Sequence, residues 1–363
     1  MPGPKHLILA DGAFGPMTSK TANCVIRYQP DQVVAVVDRE TAGRTSADVL
    51  GFGGAIPVVA SMAEGLALGP DTILIGIAPV GGRLPEEWRR WLLEAIDAGC
   101  DIWSGLHTFL ADDAPLAERA RRRGTAIRDV RRPPPDLDVA SGRARDLDPF
   151  VIQTVGTDCN VGKMTSQLQL TRILNERGVR TRFVPTGQTG IFLEGWGIAV
   201  DAVVADFIAG AAERITLEGS VDADIVMVEG QGSINHPGYS GVTLGLLHGS
   251  CPDALILCHE AGRRFIGEFR KDLRFPIPPL ADYIRWYESL ATPVAPTRVI
   301  AIAMNTQGLE EEAARRACEL AGAETGLPAT DPIRFSSEPL VEAILAARER
   351  YLESRRTESI STT

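Results

Sequence analysis

Residues 154–166 read TVGTDCNVGKMTS, and this stretch decides the fold. It completes an apolar run, FVIQTVG at 150–156, and opens a helical pattern from about Lys163 to Arg177 that Gly178 closes. A glycine-rich turn between a strand and a helix aims successive backbone N–H groups at one point, where the helix dipole also favours negative charge. Lys163 adds a full positive charge there. The stretch is therefore expected to grip phosphate, with Gly156, Asp158, Asn160, Val161, Gly162, Lys163, Met164 and Thr165 around the anion.

The loop departs from phosphoryl-transfer loops at one position. Met164 stands where such loops place the hydroxyl that holds magnesium, and Thr165, one residue on, is turned by about 100° around the helix. Amides and a lysine can hold a pyrophosphate alone, whereas phosphoryl transfer leans on a metal to offset developing charge. Binding is expected over hydrolysis, with no set of metal ligands and only Thr165 to serve magnesium.

Beyond the loop, the second half continues as strand VRTRFVP, a helix around 201–214, strand IVMVEGQGS (225–233), strands ALILCHE (254–260) and RVIAIAMNT (298–306), and helices at 309–321 and 338–354. The first third alternates HLILA, VVAVVD (33–38), ILIGIAP (73–79), DIWSG (101–105) and TAIRDV (125–130) with amphipathic pieces such as EEWRRWLLEAIDAG, where Trp88, Trp91, Leu92 and Ile96 recur at helical spacing. Such alternation implies parallel sheets covered by helices. A proline-rich, charged stretch at 131–150 breaks both periodicities. The fold class is thus α/β: a Rossmann-like parallel-sheet domain at 1–135, a linker at 136–149, and a P-loop NTPase-like α/β domain at 150–363.

A chain of 363 residues can bury two ordinary cores. Its net charge of -10 excludes a general nucleic-acid binder, which needs a basic face. The run in MPGPKHLILADG is too short for a signal peptide, and no stretch reaches a membrane span of roughly 18 apolar residues, so a cytoplasmic protein with no membrane partner is expected. The 6 cysteines contain no C-x-x-C pair, which points to reduced, packed thiols.

Further candidates sit at strand ends. Glu229 ends a strand facing the loop, where it could hold magnesium, order a water or act as a base. The following NHPGYSGVTLGLLHGS carries His236, Tyr239, Ser240 and His248 among glycines that let backbone approach a ligand. FVPTGQTGI brings Thr186, Gln188 and Thr189 to the same edge, and CHEAGRRF brings His259, Glu260, Arg263 and Arg264, of which an arginine could pair with a carboxylate. Cys258 lacks the partners of a nucleophile and is expected to be packed. Asn305 could read an adenine edge or form a turn. In the first domain Lys20, Thr21, Arg27, Asp38, Thr41 and Arg44 lie near strand ends, but no G-x-G-x-x-G follows a strand.

The segments KTANCVIRY, GLHTFL, VGTDCNVGKMTS, TGQTGI, DAVVADFIAGAAE, VEGQGSINHPGYSGVTLGLLHGS, LCHEAGR and ETGLPATDPIR together resemble the bacterial D-glutamate N-acetyltransferase family over nearly the whole chain. The second half is similar in outline to dethiobiotin synthetase, whose loop has the form G-T-D-x-x-V-G-K-T; this chain departs from it at Met164. The resemblance implies acetyl transfer from acetyl-CoA to the amine of D-glutamate. The loop would hold the CoA phosphates with Asn305 near the adenine, and Glu229 or His236 would be the base. Amides from Gly230 to Ser233 would meet the oxyanion, and Gln188, Gln231, Ser233, Tyr239 and Arg263, with Lys20 or Arg44, would hold the acidic amino acid. A homo-oligomer is expected. Two other classes fit the same residues: an ATP-dependent ligase or carboxylase resembling dethiobiotin synthetase, in which Thr165 serves magnesium with Glu229, and a non-catalytic CoA or nucleotide sensor.

Overall fold

The computed structural model describes residues 3–77, 84–267 and 274–361. By internal contact the chain divides into two compact units, Met1–Pro133 with Ile191–Ala202, and Pro134–Gly190 with Val203–Thr363.

The first unit runs β1 (His6–Leu9), α1 (Lys20–Tyr28), β2 (Val33–Val37), α2 (Ser46–Leu50), β3 (Val58–Val59), α3 (Met62–Leu66), β4 (Thr72–Ile75), α4 (Glu86–Asp97), β5 (Asp101–Ser104), α5 (Ala114–Arg123) and β6 (Ile127–Asp129). Its strands lie parallel in the order β3-β2-β1-β4-β5-β6, the doubly wound arrangement of the Rossmann fold. Helices cover both faces, so β1 and β4 are buried at every residue instead of alternating. Helix α4 forms at the expected spacing and buries Trp88, Leu92 and Ile96, with Trp91 packed at the margin. The expected strand 73–79 ends at Ile75, and its positions 78 and 79 lie outside the described residues. Residues 191–202 complete this unit: Ile191, Phe192 and Ala199 join the core formed by Ile8, Val25 and Val36. The Phe192 ring stacks on Trp103, and Gln29 Nε2 donates to the Leu193 carbonyl at 2.8 Å.

The second unit runs β7 (Phe150–Gly156), α6 (Lys163–Glu176), β8 (Thr181–Val184), the start of α7 (Gln188–Glu194), whose residues from Ile191 belong to the first unit, α8 (Ile208–Gly219), β9 (Ile225–Val228), α9 (Ser240–Ser250), β10 (Ala254–Glu260), α10 (Leu280–Ala291), β11 (Arg298–Asn305), α11 (Glu311–Thr325), β12 (Ala329–Thr330) and α12 (Glu338–Ser361). Its sheet is also parallel, in the order β12-β11-β10-β7-β9-β8. The register sets Gly156 beside Cys258 and Glu260 beside Asn305. The loops after β7, β8, β9, β10 and β11 therefore leave one edge of one sheet, the ligand edge of such folds.

Two segments differ from expectation. The glycines of 240–250 belong to helix α9, where Gly245 and Gly249 serve helix packing: a Cβ on Gly249 would lie 2.1 Å from the Ala209 carbonyl oxygen, and one on Gly245 2.5 Å from Ile208 Cγ2. The apolar residues Leu246 and Leu247 bury the same helix. The stretch 136–149 is bound to α8 over most of its length and to α12 at its end, where Tyr351 OH donates to the Leu147 carbonyl at 2.8 Å and Arg355 Nη2 to Asp148 Oδ1 at 3.1 Å. Arg214 Nη1 donates to Asp136 Oδ1 at 3.0 Å, and the buried Glu213 carboxylate accepts from the amides of Ser141 and Arg143. Among the described residues, no helix is long and apolar enough to cross a membrane.

Burial pushes the Glu213 carboxyl up, but the donors of Ser141, Arg143 and Gly142 outweigh it and the net shift is downward. A lowered folded pKa contributes stability above the unfolded value, which is lost as pH falls through the folded one. Glu213→Ala should therefore lower stability in urea unfolding at neutral pH by about 2–3 kcal/mol, with the difference from the parent shrinking in acid.

Candidate functional site

Strand β7 delivers residues 156–163 to the edge, and the loop turns back because Asn160 and Gly162 take left-handed conformations, φ 56° and φ 102°. Gly162 is the N-cap of α6 and offers no side-chain cap, so the first amides of the helix face the loop's interior. Val161 sends its side chain into the core, leaving only its backbone to the loop. Met164 is 5 % exposed. Thr165 is half-buried one position further around α6.

Lys163 is buried, and its Nζ donates to the carbonyls of Asp158 at 2.7 Å and Gly232 at 2.9 Å. Two tyrosines one turn apart on α10 brace the same loop. Tyr287 OH donates to the Gly156 carbonyl at 2.8 Å and accepts from Ile234 N at 3.1 Å, while Tyr283 OH donates to the Thr157 carbonyl at 3.0 Å. Burial pushes the Tyr287 hydroxyl up to about 12 and raises Tyr283 as well, so both remain donors at neutral pH.

Asp158 is fully buried and joins two segments, its own loop and the chain after β10. Its Oδ1 accepts from Cys159 N at 2.7 Å, and its Oδ2 accepts from Arg263 Nη1 at 2.8 Å and Gly267 N at 2.7 Å. Arg263 also donates to the Cys159 carbonyl at 2.8 Å and to Glu260 Oε2 at 2.6 Å. This guanidinium, expected to meet a substrate carboxylate, thus holds the loop in place.

Most of the other expected residues follow three strands of the same sheet, β8, β9 and β11. Glu229 is buried, and its Oε2 accepts from the amides of Thr186 at 3.0 Å and Gly187 at 3.1 Å. Gln231 Nε2 donates to Thr186 Oγ1 at 3.1 Å, and Gln188 begins α7. Gly230 N, one of the amides expected to meet an oxyanion, donates to Thr154 Oγ1 at 3.1 Å. Ser233 is buried and its hydroxyl donates to Asn235 Oδ1 at 2.9 Å. Asn305 accepts from Gln307 N at 3.1 Å, forming a turn, and its Cβ lies 3.6 Å from where a Cβ on Gly162 would be. Lys20 and Arg44 belong to the first unit, Lys20 as the first residue of α1 and Arg44 as a donor to the Asp48 carbonyl.

His236 is buried and stacks on Tyr239, ring centroids 4.4 Å apart. Its Nδ1 accepts the Gly238 N–H at 3.1 Å, so the neutral ring carries its proton on Nε2, which faces Asp158 Oδ1 at 3.9 Å. Asp158, Cys159 and His236 place possible metal-binding atoms within 4.8 Å of one another. A metal on Nε2 would require the proton on Nδ1, against the Gly238 N–H, so the site fits a cation poorly. Cys258 is pushed up to about 12 by burial, which keeps it a thiol. His259 is lowered to about 4 by burial and then by Arg263, and its Nδ1 lies 2.8 Å from Thr157 Oγ1.

Sequence reasoning did not find Tyr283 and Tyr287. The signal was present in PPLADYIRWYESL, whose two tyrosines stand four apart on one helix face.

Two family models match successive parts of the chain. A family model described as a domain of unknown function, DUF1611 C-terminal P-loop domain, matches residues 138–341, and its DUF1611 N-terminal Rossmann-like counterpart matches residues 39–133. The chain is 36% identical to a D-glutamate N-acetyltransferase of Tritonibacter scottomollicae over 94% of its own length and 98% of the relative's. It is also 36% identical to a D-glutamate N-acetyltransferase of a Pseudoalteromonas species, over 77% and 83% of the two chains. The crystal structure of a DUF1611 family protein from Anabaena variabilis superposes with a TM-score of 0.89 at 41% identity, covering 95% of this chain and 100% of that one.

Breaking a buried ion pair from one side leaves a charge without its partner. Asp158→Ala and Arg263→Ala should each lower stability by about 3 kcal/mol in urea unfolding. The double variant should fall well short of the sum, the coupling expected of groups in one network.

Proposed function

The chain belongs to the DUF1611 family, and from that premise we propose that it is an N-acetyltransferase that acetylates D-glutamate with acetyl-CoA bound through the 156–165 loop. The two relatives that bear the name D-glutamate N-acetyltransferase support the reaction and its acceptor. The placement of the donor rests on one observation: the loop keeps its turned amides and Lys163, while Met164 fills the magnesium-ligand position with a buried thioether. The Glu229 carboxylate, the other group expected near a metal, is oriented by the amides of Thr186 and Gly187. Such a site suits a pyrophosphate that is held and not cleaved.

The chemistry follows from these roles. The ammonium group of the acceptor gives one proton to Glu229, and the freed nitrogen attacks the thioester carbonyl carbon. The nitrogen of the tetrahedral adduct loses its second proton to water, the adduct collapses with cleavage of the C–S bond, and the departing CoA thiolate takes the proton held by Glu229, which restores the carboxylate. His236, whose Nδ1 lone pair is engaged by Gly238, serves the loop geometry and leaves the base role to Glu229. In this reading Gln188, at the start of α7, serves the acceptor with Gln231, Ser233 and Tyr239, and Asn305, beside Gly162, serves the donor.

Mass spectrometry of mixed D- and L-amino acids incubated with acetyl-CoA and the protein should show the gain of one acetyl group on D-glutamate. Absence of that gain on every acidic amino acid would defeat the assignment. Glu229→Gln should lower kcat by roughly a hundredfold or more. Lys163→Ala should weaken acetyl-CoA binding in calorimetry by roughly tenfold or more, the loss of a charge-assisted contact.

A further inference from the structure

The loop and the segment 232–239 are joined by hydrogen bonds that a bound anion would redistribute. Lys163 Nζ bridges the Asp158 carbonyl, on its own loop, and the Gly232 carbonyl, on the segment after β9. Beyond Gly232 the chain forms a compact turn. His236 N donates to the Ser233 carbonyl at 3.0 Å, Gly238 N to His236 Nδ1 at 3.1 Å, and Tyr239 N to the His236 carbonyl at 3.2 Å. The His236 ring lies on Tyr239, which is 46% exposed and leads directly into α9. Because these bonds close within the turn, a displacement of Gly232 is passed to Tyr239. Tyr287 restrains the turn from the other side through Ile234 N.

We propose that Lys163 is a latch: a phosphate group entering the loop draws its ammonium from the Gly232 carbonyl and releases the 232–239 turn, so that donor binding prepares the acceptor side. This deepens the reading of Lys163 as the counter-charge to the donor's phosphates and rests on it. An ionised phosphate oxygen outcompetes a neutral carbonyl for the ammonium, because it adds the attraction between two full charges to the hydrogen bond. Of the two carbonyls, that of Asp158 lies on the same loop as Lys163, whereas Gly232 belongs to a separate segment and is the one released. Gly232 has φ 63°, and a Cβ there would lie 2.8 Å from the Tyr239 carbonyl oxygen, so the position accepts only glycine without displacing the turn. By linkage, the acceptor must then alter donor affinity by the same factor that the donor alters acceptor affinity.

Inorganic pyrophosphate is the probe, and amide hydrogen exchange of peptides covering 232–239 is the readout. Saturating pyrophosphate should speed exchange there by roughly fivefold, the loss of one hydrogen bond of ordinary strength. Lys163→Met, which keeps the aliphatic stem, should exchange at the faster rate without pyrophosphate and gain nothing from it. Pyrophosphate that binds with a measurable heat yet leaves 232–239 unchanged overturns the latch while the loop's role in phosphate binding stands. A Lys163→Met protein whose turn exchanges as slowly as the parent's also overturns it. Absence of any binding heat with the parent protein overturns both readings.

Discussion

The buried carboxylate of Asp158 is the constraint on which the site depends. One oxygen fixes the start of the phosphate loop through Cys159 N; the other takes Arg263 and Gly267 N, which lie beyond β10. A charge out of water is tolerated only when paired and hydrogen-bonded, and all three donors are supplied by segments that leave the same sheet edge. The parallel register of β7 and β10 brings them together. The sheet and the loop therefore specify each other: strand order sets the partner of the carboxylate, and the carboxylate fixes the loop.

A second theme is how the groups around the loop are held by contacts within the protein. Met164 is packed, Glu229 orients the turn before α7, and Tyr283 and Tyr287 hold loop carbonyls with hydroxyls that stay protonated. Each group stiffens the backbone of the loop and its neighbours without adding a positive charge. For the proposed reaction, such a loop with Lys163 would suit a donor that is bound by its phosphates and reacts elsewhere along its length.

Much of the architecture was legible because buried parallel strands are continuous apolar runs and the helices between them carry one apolar face. The loop from Gly156 to Lys163 was legible for a related reason, since its geometry demands particular residues at particular places. Short elements such as β3 and β12 left too little pattern to detect. Helix α9 was hidden because its glycines, a usual mark of loops, serve close packing on α8, which depends on a neighbour distant in sequence. The partners of Arg263 and Glu229 were hidden likewise. Their residue types and positions at the sheet edge could be read, but whether they face a ligand or a backbone amide is decided by tertiary hydrogen bonds.

The return of residues 191–202 to the first unit bears on how the two halves could have been inherited. The first unit is discontinuous in sequence, so no single cut separates the halves: a piece beginning at residue 134 would carry Ile191, Phe192 and Ala199 away from the core that buries them. Each of the larger two side chains stripped of that cover would cost about 1.5–3 kcal/mol. Recombination at one junction would therefore be penalised in both products at once. Such a chain is expected to be passed on whole, its halves diverging together and not being shuffled as independent modules.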